Sequence, residues 1–311
     1  MRIGFLDNVH PVLAERLAAA GHEVRDVHAG DHDAWSDLEG LVVRSSIIKA
    51  DLLAAMPGLR FIARAGAGME NIDSSMCAER GIVLYNSPEG NRDGVGEWCV
   101  AQLLMLIKGL AKANAEVHAG HWYREANRGH DLEGSRVGII GYGNMGRAFA
   151  SKLSGFGVKV FAYDKYHTGF GGGHVAEASL DDVLAQSDAI SLHLPLTEET
   201  LHYADAAFFT RIAKPAWFLN SSRGPVVHTA ALLDALDRGS VRGAALDVLE
   251  FEKPDLSGLD AGADEPTLKR LLAHDRVLLT PHIAGVTHEA GSKTARVLAD
   301  RILKDFPHGA P

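Results

Sequence analysis

Val137-Gly138-Ile139-Ile140-Gly141-Tyr142-Gly143-Asn144-Met145-Gly146 runs a short apolar strand directly into G-x-G-x-x-G. The spacing predicts the entry to a dinucleotide-binding βαβ unit: Gly141 permits the tight turn, Gly143 lets a pyrophosphate approach the backbone, and Gly146 lets helix pack on strand. Amides at the start of the following helix would face the phosphate charge. A second strand, Lys159-Val160-Phe161-Ala162-Tyr163, ends on Asp164. That is the position for an acid that accepts hydrogen bonds from an adenosine ribose. The alternative, a glycine-rich turn in another α/β domain, explains the glycines but not the acid.

A nucleotide unit opening near residue 135 leaves a long segment before it to explain. Up to residue 90, short apolar strands (3–6, 23–27, 40–43, 60–63 and 82–85) alternate with helices (12–20, 50–56 and 74–80). Gly21, Gly58 and Gly81 mark stops or turns between them. Such alternation predicts a mostly parallel sheet. One long helix is expected from about Gly94 to Gly120, with Val100, Leu103, Leu104, Ile107, Ala111 and Val117 at helical spacing.

A second series follows over 136–282, with six strands expected at 137–140, 158–163, 189–194, 217–220, 243–248 and 277–280. Gly169–Gly173 reads as a flexible loop. Helices open at Ser179-Leu180-Asp181-Asp182, a capping box, and at Thr229. The last helix, 288–306, is too little to fold alone and is expected to return to the first series.

The 311 residues have room for two domains with sizeable cores, and 46% hydrophobic with 23% charged residues is ordinary for a globular protein. A net charge of −9 and a pI near 6.0 argue against a nucleic-acid or anionic-membrane surface. They leave room for an anionic small molecule in a local arginine pocket. Cys77 and Cys99 are isolated, so neither a disulfide framework nor a zinc site is suggested. The first residues read as a strand rather than a leader, and the apolar run 98–107 is too short to cross a bilayer. A cytoplasmic protein without membrane or nucleic-acid partners is the expectation.

Ligands of open α/β sheets bind beyond the carboxyl ends of the strands. In the second series those ends read Asn220-Ser221-Ser222-Arg223-Gly224, Asp247-Val248-Leu249-Glu250-Phe251-Glu252 and Thr280-Pro281-His282-Ile283-Ala284-Gly285. An arginine, an acid and a histidine are thereby expected around the hydride-transfer position. Arginine offers a bidentate fork for a carboxylate. Histidine takes a hydroxyl proton as hydride leaves and returns it in reverse. A carboxylate beside a histidine orients the ring and favours its charged form.

The ordered set GYGNMG, Asp164, NSSRG, GAALDVLEFE and PHIAG resembles the D-isomer-specific 2-hydroxyacid dehydrogenases over essentially the whole chain. The resemblance implies an α/β chain of two doubly wound domains. A Rossmann NAD-binding domain (95–285) would be inserted into a split, flavodoxin-like substrate domain (1–94 and 286–311). It implies Arg223, Glu252 and His282 as catalytic residues. It implies cofactor contacts at Asn144, Met145, Leu194, Ser221, Asp247 and His282, beside Gly141, Gly143, Gly146 and Asp164. It also implies a homodimer built largely on the long helix around 98–110. NAD is favoured over NADP because Asp164 would meet a 2′-phosphate with like charge, an argument that Lys165 next door weakens.

In the first series, Arg64-Ala65-Gly66-Ala67-Gly68 follows a strand, and its backbone at Gly66, Ala67 and Gly68 could donate amides to a carboxylate. Val43-Arg44-Ser45 ends the strand before it. Both segments look like those of the phosphoglycerate dehydrogenase branch, where arginines at the places of Arg44 and Arg64 face the phosphate of the substrate. The alternative is surface charges or interdomain ion pairs. A small anionic 2-hydroxy or 2-keto acid is expected, 3-phosphoglycerate-like, with hydroxypyruvate or glyoxylate reduction as the alternative. From another class, an NAD-sensing corepressor-like interaction protein lacks a reason for the Arg223, Glu252 and His282 set. Formate oxidation is disfavoured, because that branch resembles a Gln–His arrangement.

A C-terminal regulatory domain of the kind some phosphoglycerate dehydrogenases carry is not expected after the return helix, and 253–266 is longer than usual, with Lys253 where an acid is common. His118 and His121 read as an exposed helix face rather than a metal pair, so no metal is expected. His22, His28 and His32 read as loop residues. Trp122 and Tyr123 read as packing at the end of the long helix.

Overall fold

The computed structural model describes residues 1–28, 35–260, 262 and 265–307; His32 and part of the 253–266 stretch lie outside them. The first series forms β1 (Arg2–Phe5), α1 (Val12–Ala19), β2 (Glu23–Asp26), β3 (Gly40–Val43), α2 (Ala50–Ala54), β4 (Phe61–Arg64), α3 (Ser74–Glu79) and β5 (Val83–Tyr85). These five strands make one parallel sheet in the order β2-β1-β3-β4-β5, the flavodoxin-like order. Next come α4 (Pro88–Lys108) and α5 (Leu110–His118).

The second series runs β6 (Arg136–Ile140), α6 (Asn144–Lys152), β7 (Lys159–Tyr163), β8 (Val175–Glu177), α7 (Leu180–Gln186), β9 (Ala189–Leu192), α8 (Ala206–Thr210), β10 (Ala216–Asn220), α9 (Thr229–Arg238), β11 (Val241–Leu246), α10 (Glu265–Leu272) and β12 (Val277–Leu279). The closing helix is α11 (His288–Asp305). Seven parallel strands lie in the order β12-β11-β10-β9-β6-β7-β8, so the order reverses at β6, where the fingerprint begins. The chain divides into two compact units, unit 1 (Met1–Arg92, Pro254–Ser257, Val286–Pro311) and unit 2 (Asp93–Lys253, Gly258–Gly285).

Each sheet is covered on both faces, as parallel sheets require. In unit 1 one face packs Leu41, Val43, Ile62, Leu53 and Cys77 around Trp35, which is fully buried. The other face packs Ile3, Phe5, Val42 and Phe61 against Leu13 and Leu17 of α1 and against Ala295, Leu298, Ala299 and Ile302 of α11. The return helix thus supplies the apolar stripe without which that face of the sheet would lie open. Gly40 is part of this packing: a Cβ there would meet the Phe61 ring at 2.3 Å. In unit 2, α7, α8, α9 and α10 cover one face, and α4 and α6 the other.

Three expectations need correcting. The single long helix is two, because Gly109 adopts φ 63° and breaks the i→i−4 ladder, and α4 and α5 are bent by 64°. The second sheet has seven strands rather than six. Gly169–Gly173 is the turn that leads into the added edge strand β8, with the amides of Gly169 and Phe170 donating to Glu177 Oε2. Three residues are too few for a period-2 signal. Trp122 is 82% exposed and Tyr123 50%, stacked only on His121, so neither is packed as expected. Among the described residues no single helix is long and apolar enough to cross a membrane.

Candidate active site

The fingerprint turn follows β6 as the glycine spacing predicts. A Cβ on Gly141 would meet the His193 carbonyl oxygen at 2.4 Å, and one on Gly146 would meet the Gly141 carbonyl oxygen at 2.1 Å. Gly143 differs: nothing lies within 4 Å of its ideal Cβ, so the backbone there is open to an incoming group. No side chain caps the N-terminus of α6 beyond it, leaving its first amides for an anion. A pyrophosphate fits this cradle.

Asp164, just past β7, accepts from the amides of Tyr142 (2.8 Å), Tyr166 (2.9 Å) and His167 (3.0 Å), and its Oδ1 lies 3.0 Å from His167 Nδ1. Burial pushes its carboxyl up, but these bonds together outweigh that and hold it below the ordinary carboxylate range. It is therefore ionised at neutral pH, at the crevice rim. Asn144 is exposed, Met145 packs partly against the core, and the Leu194 side chain closes on Gly141.

The ends of β10, β11 and β12 are adjacent and parallel, so the segments that follow them leave the sheet side by side. After β10, Asn220 is 1% exposed and organises the turn. Its Oδ1 accepts from the Ser222 amide (3.0 Å) and hydroxyl (2.7 Å), while its Nδ2 donates to the Arg223 carbonyl (3.0 Å). Arg223 Nη1 donates to the Ser222 carbonyl at 2.6 Å. Gly224 follows because the chain passes against the β11 segment: a Cβ there would lie 1.9 Å from the Leu249 carbonyl oxygen. Ser221 Oγ sits 3.4 Å from Cys99 Sγ, a thiol that burial pushes up to about 12, so it is unreactive at neutral pH.

After β11, Glu252 Oε1 accepts from the Leu249 amide (2.9 Å), and Oε2 lies 2.9 Å from His282 Nδ1. The histidine and acid expected to pair are therefore in contact. Glu250, two residues earlier, accepts from the Thr229 amide (2.9 Å) and meets His202 Nε2 at 2.6 Å, so it ties this segment to the start of α9 beyond Arg223. Residues 252–260 form a short hairpin, with the Lys253 amide donating to the Gly258 carbonyl and the Asp260 amide to that of Phe251.

Asp247 is 1% exposed and holds the turn after β12. Its Oδ1 accepts from the Thr280 hydroxyl (2.5 Å) and the Ile283 amide (2.9 Å), and its Oδ2 from the Ala284 amide (2.7 Å). Its own carbonyl accepts from the His282 amide (2.8 Å). His282 is thereby fixed at φ 56°. Trp98 Nε1 completes the set by donating to Thr280 Oγ1 at 3.1 Å. Asn220, Thr280 and Glu250 do not stand out in the sequence as site residues; a polar residue at the end of an otherwise apolar strand is the signal that flags the first two.

In unit 1, Asp7 organises the end of β3. Its Oδ2 accepts from the amides of Arg44 (2.6 Å), Ser45 (2.9 Å) and Ser46 (2.9 Å), and its Oδ1 from the Ser46 hydroxyl (2.6 Å). Arg64 Nε donates to the Arg44 carbonyl at 3.1 Å, and a Cβ on Gly66 would strike its Nη1 at 2.0 Å. The Asn86 amide nitrogen donates to the Ala67 carbonyl at 2.7 Å. Arg44, Arg64 and the Gly66–Gly68 turn thus share the carboxyl end of β3 and β4. His118 and His121 are exposed.

Residues 100–284 match the model of the D-isomer specific 2-hydroxyacid dehydrogenase NAD binding domain. The chain is 35% identical over 273 residues to a hydroxypyruvate reductase of Thermotoga maritima, covering 87% of this chain and 85% of that protein. It is 32% identical to a D-3-phosphoglycerate dehydrogenase of Bacillus subtilis over 91% of its own length, but spans only 52% of that longer relative. Its fold is similar to that of the D-lactate dehydrogenase of Aquifex aeolicus complexed with NAD and lactic acid, with a TM-score of 0.83, 26% identity and coverage of 99% of this chain and 95% of the other. The chain belongs to the D-isomer specific 2-hydroxyacid dehydrogenases. It is an NAD-dependent oxidoreductase acting on CH–OH donors.

Proposed function

We propose that the enzyme interconverts a small D-2-hydroxy acid carrying a second anionic group, of the 3-phosphoglycerate type, and its 2-keto acid. The observation that supports this reading is that Arg44 and Arg64 lie at the ends of neighbouring strands, with Arg64 Nε donating to the Arg44 carbonyl and the Arg64 guanidinium beside Gly66 on a glycine-rich turn. Arg223 holds the substrate carboxylate and polarises the neighbouring carbonyl. His282 moves the hydroxyl proton, and Glu252 orients its ring through Nδ1, leaving Nε2 for the substrate. Bound NAD supplies the hydride acceptor for C2. The ionised Asp164 faces the adenosine ribose and opposes a 2′-phosphate, which favours NAD over NADP.

Hydroxypyruvate or glyoxylate reduction is the second reading. It is favoured by the 35% identity to the Thermotoga reductase and by the bond that occupies Arg64 Nε. Steady-state reduction of phosphohydroxypyruvate, hydroxypyruvate, glyoxylate, pyruvate and 2-ketoglutarate with NADH separates the two. Arg44→Ala and Arg64→Ala are each expected to raise KM for phosphohydroxypyruvate by about 10- to 100-fold, the worth of a charge-assisted contact. An unchanged KM in both variants removes the phosphate reading.

The exposed Leu110, Val117, Trp122 and Tyr123, with relative exposures of 50%, 52%, 82% and 50%, support a homodimer through α5 and the segment after it. Sedimentation equilibrium is expected to give a dimer for the parent and a monomer for Trp122→Glu. A monomeric parent at micromolar concentration sinks this assignment.

A further inference from the structure

Strands β9, β6 and β7 are neighbours, so the loops leaving β7 and β9 flank the fingerprint turn that leaves β6. One carboxylate joins the two flanking loops. Glu199 Oε1 accepts from Lys165 Nζ, and Glu199 Oε2 accepts from the Tyr166 hydroxyl. Lys165 is the residue after Asp164, the rim position from which a cation would meet a ribose 2′-phosphate.

The loop that carries Glu199 is built rather than loose. Thr200, 8% exposed, donates from Oγ1 to the Pro195 carbonyl at 2.6 Å and accepts from the Thr197 amide at 2.8 Å. Hydrogen bonding from Lys165 and Tyr166 holds the Glu199 carboxyl below its ordinary range, and the same bond raises Lys165. Two other charged groups at this corner are already committed. His167 Nδ1 lies against Asp164, and Arg147 donates from Nε to the Tyr142 carbonyl while lying over the Tyr142 ring.

We propose that Glu199 determines dinucleotide choice by holding Lys165 away from the 2′ position, so that Asp164 acts there without a compensating cation. A lysine next to the acid would otherwise admit a 2′-phosphate; the carboxylate from the β9 loop cancels it. The inference rests on the placement of the adenosine ribose at Asp164, and the test separates the two.

Dissociation constants of NADH and NADPH are measured at low ionic strength from nicotinamide fluorescence, for the parent, Glu199→Gln, Glu199→Gln/Lys165→Ala and Asp164→Ala. Glutamine keeps an acceptor for Tyr166 but releases the ammonium. Glu199→Gln is expected to shift the NADPH-to-NADH affinity ratio toward NADPH by about 3- to 5-fold, in the upper range for an exposed ion pair. Removing Lys165 as well is expected to return the ratio to that of the parent. A ratio within twofold of the parent in Glu199→Gln, or a gain that survives the loss of Lys165, overturns the proposal. If Asp164→Ala also leaves both affinities unchanged, the placement of the ribose falls with it; if Asp164→Ala responds, only the role of Glu199 falls.

Discussion

His282→Gln is expected to lower kcat by about 10²- to 10⁴-fold in both directions of the reaction, the range for loss of a positioned general acid–base. The histidine is held from two sides: Glu252 Oε2 at Nδ1, and the Asp247 carbonyl at its own amide. A glutamine occupies the volume and can hydrogen-bond, but it cannot shuttle a proton near neutral pH. Arg223→Gln is expected to act differently, lowering kcat/KM by about 10²- to 10³-fold with a rise in KM, because it removes a charged contact to the carboxylate. Steady-state kinetics on any accepted 2-keto acid with NADH, and on its 2-hydroxy acid with NAD, gives both numbers. A His282→Gln enzyme within tenfold of the parent kcat would exclude this residue as the proton carrier and move attention to another group at the strand ends.

Stability is expected to fall between pH 6.5 and about 3 because of His193. Its Nε2 lies 2.9 Å from Ser191 Oγ, and its Nδ1 has no exposed surface and no hydrogen-bond partner among the described residues. The residue as a whole keeps some exposure, but Nδ1 does not, and burial pushes the imidazole down to about 3. The unfolded chain therefore takes up a proton near pH 6.5 that the folded chain refuses. The contribution is complete above pH 6.5 and lost as the pH falls toward 3, with a slope of at most about 1.4 kcal/mol per pH unit.

Carboxylates that the fold holds below their ordinary range, Asp7, Asp164 and Glu199 among them, begin to contribute only below about pH 5. They are common to the parent and the variant, so the difference between the two slopes isolates the histidine. Urea unfolding at pH 6.5, 5.5 and 4.5 is expected to show the slope in the parent and a slope shallower by close to one proton in His193→Gln. Equal slopes in the two proteins would mean that the ring protonates in the folded state.

Much of this arrangement is legible in the order of residues alone. Two alternations of strand and helix separate cleanly around Gly141–Gly146, and the polar tails of β10, β11 and β12 stand out against apolar runs. Asp164 follows from its place after β7. What the residue order leaves hidden has physical reasons. Gly109 sits in an unbroken apolar periodicity, and a helix tolerates one glycine, so the pattern cannot say that this one takes a left-handed φ and turns the chain. Strand β8 is three residues long and borrows its order from β7. Thr280 and Glu250 act through contacts to residues distant in the chain, Asp247 and Trp98 for the first and Thr229 and His202 for the second, which residue spacing does not encode. The 64° break also changes what α5 is: not a continuation of a core helix but a separate segment with no buried residue of its own.

The turn that presents His282 has a consequence for how this enzyme tolerates change. A histidine at φ 56° sits in a conformation that costs an L-residue on the order of 1 kcal/mol, and glycine would adopt it freely. Asp247, with three donors on its carboxylate and a fourth on its carbonyl, is what makes the strained form the resting one. If His282 carries the proposed proton transfer, selection for thermal robustness alone and selection for turnover pull in opposite directions at this residue, since glycine there would relieve the backbone and silence the site.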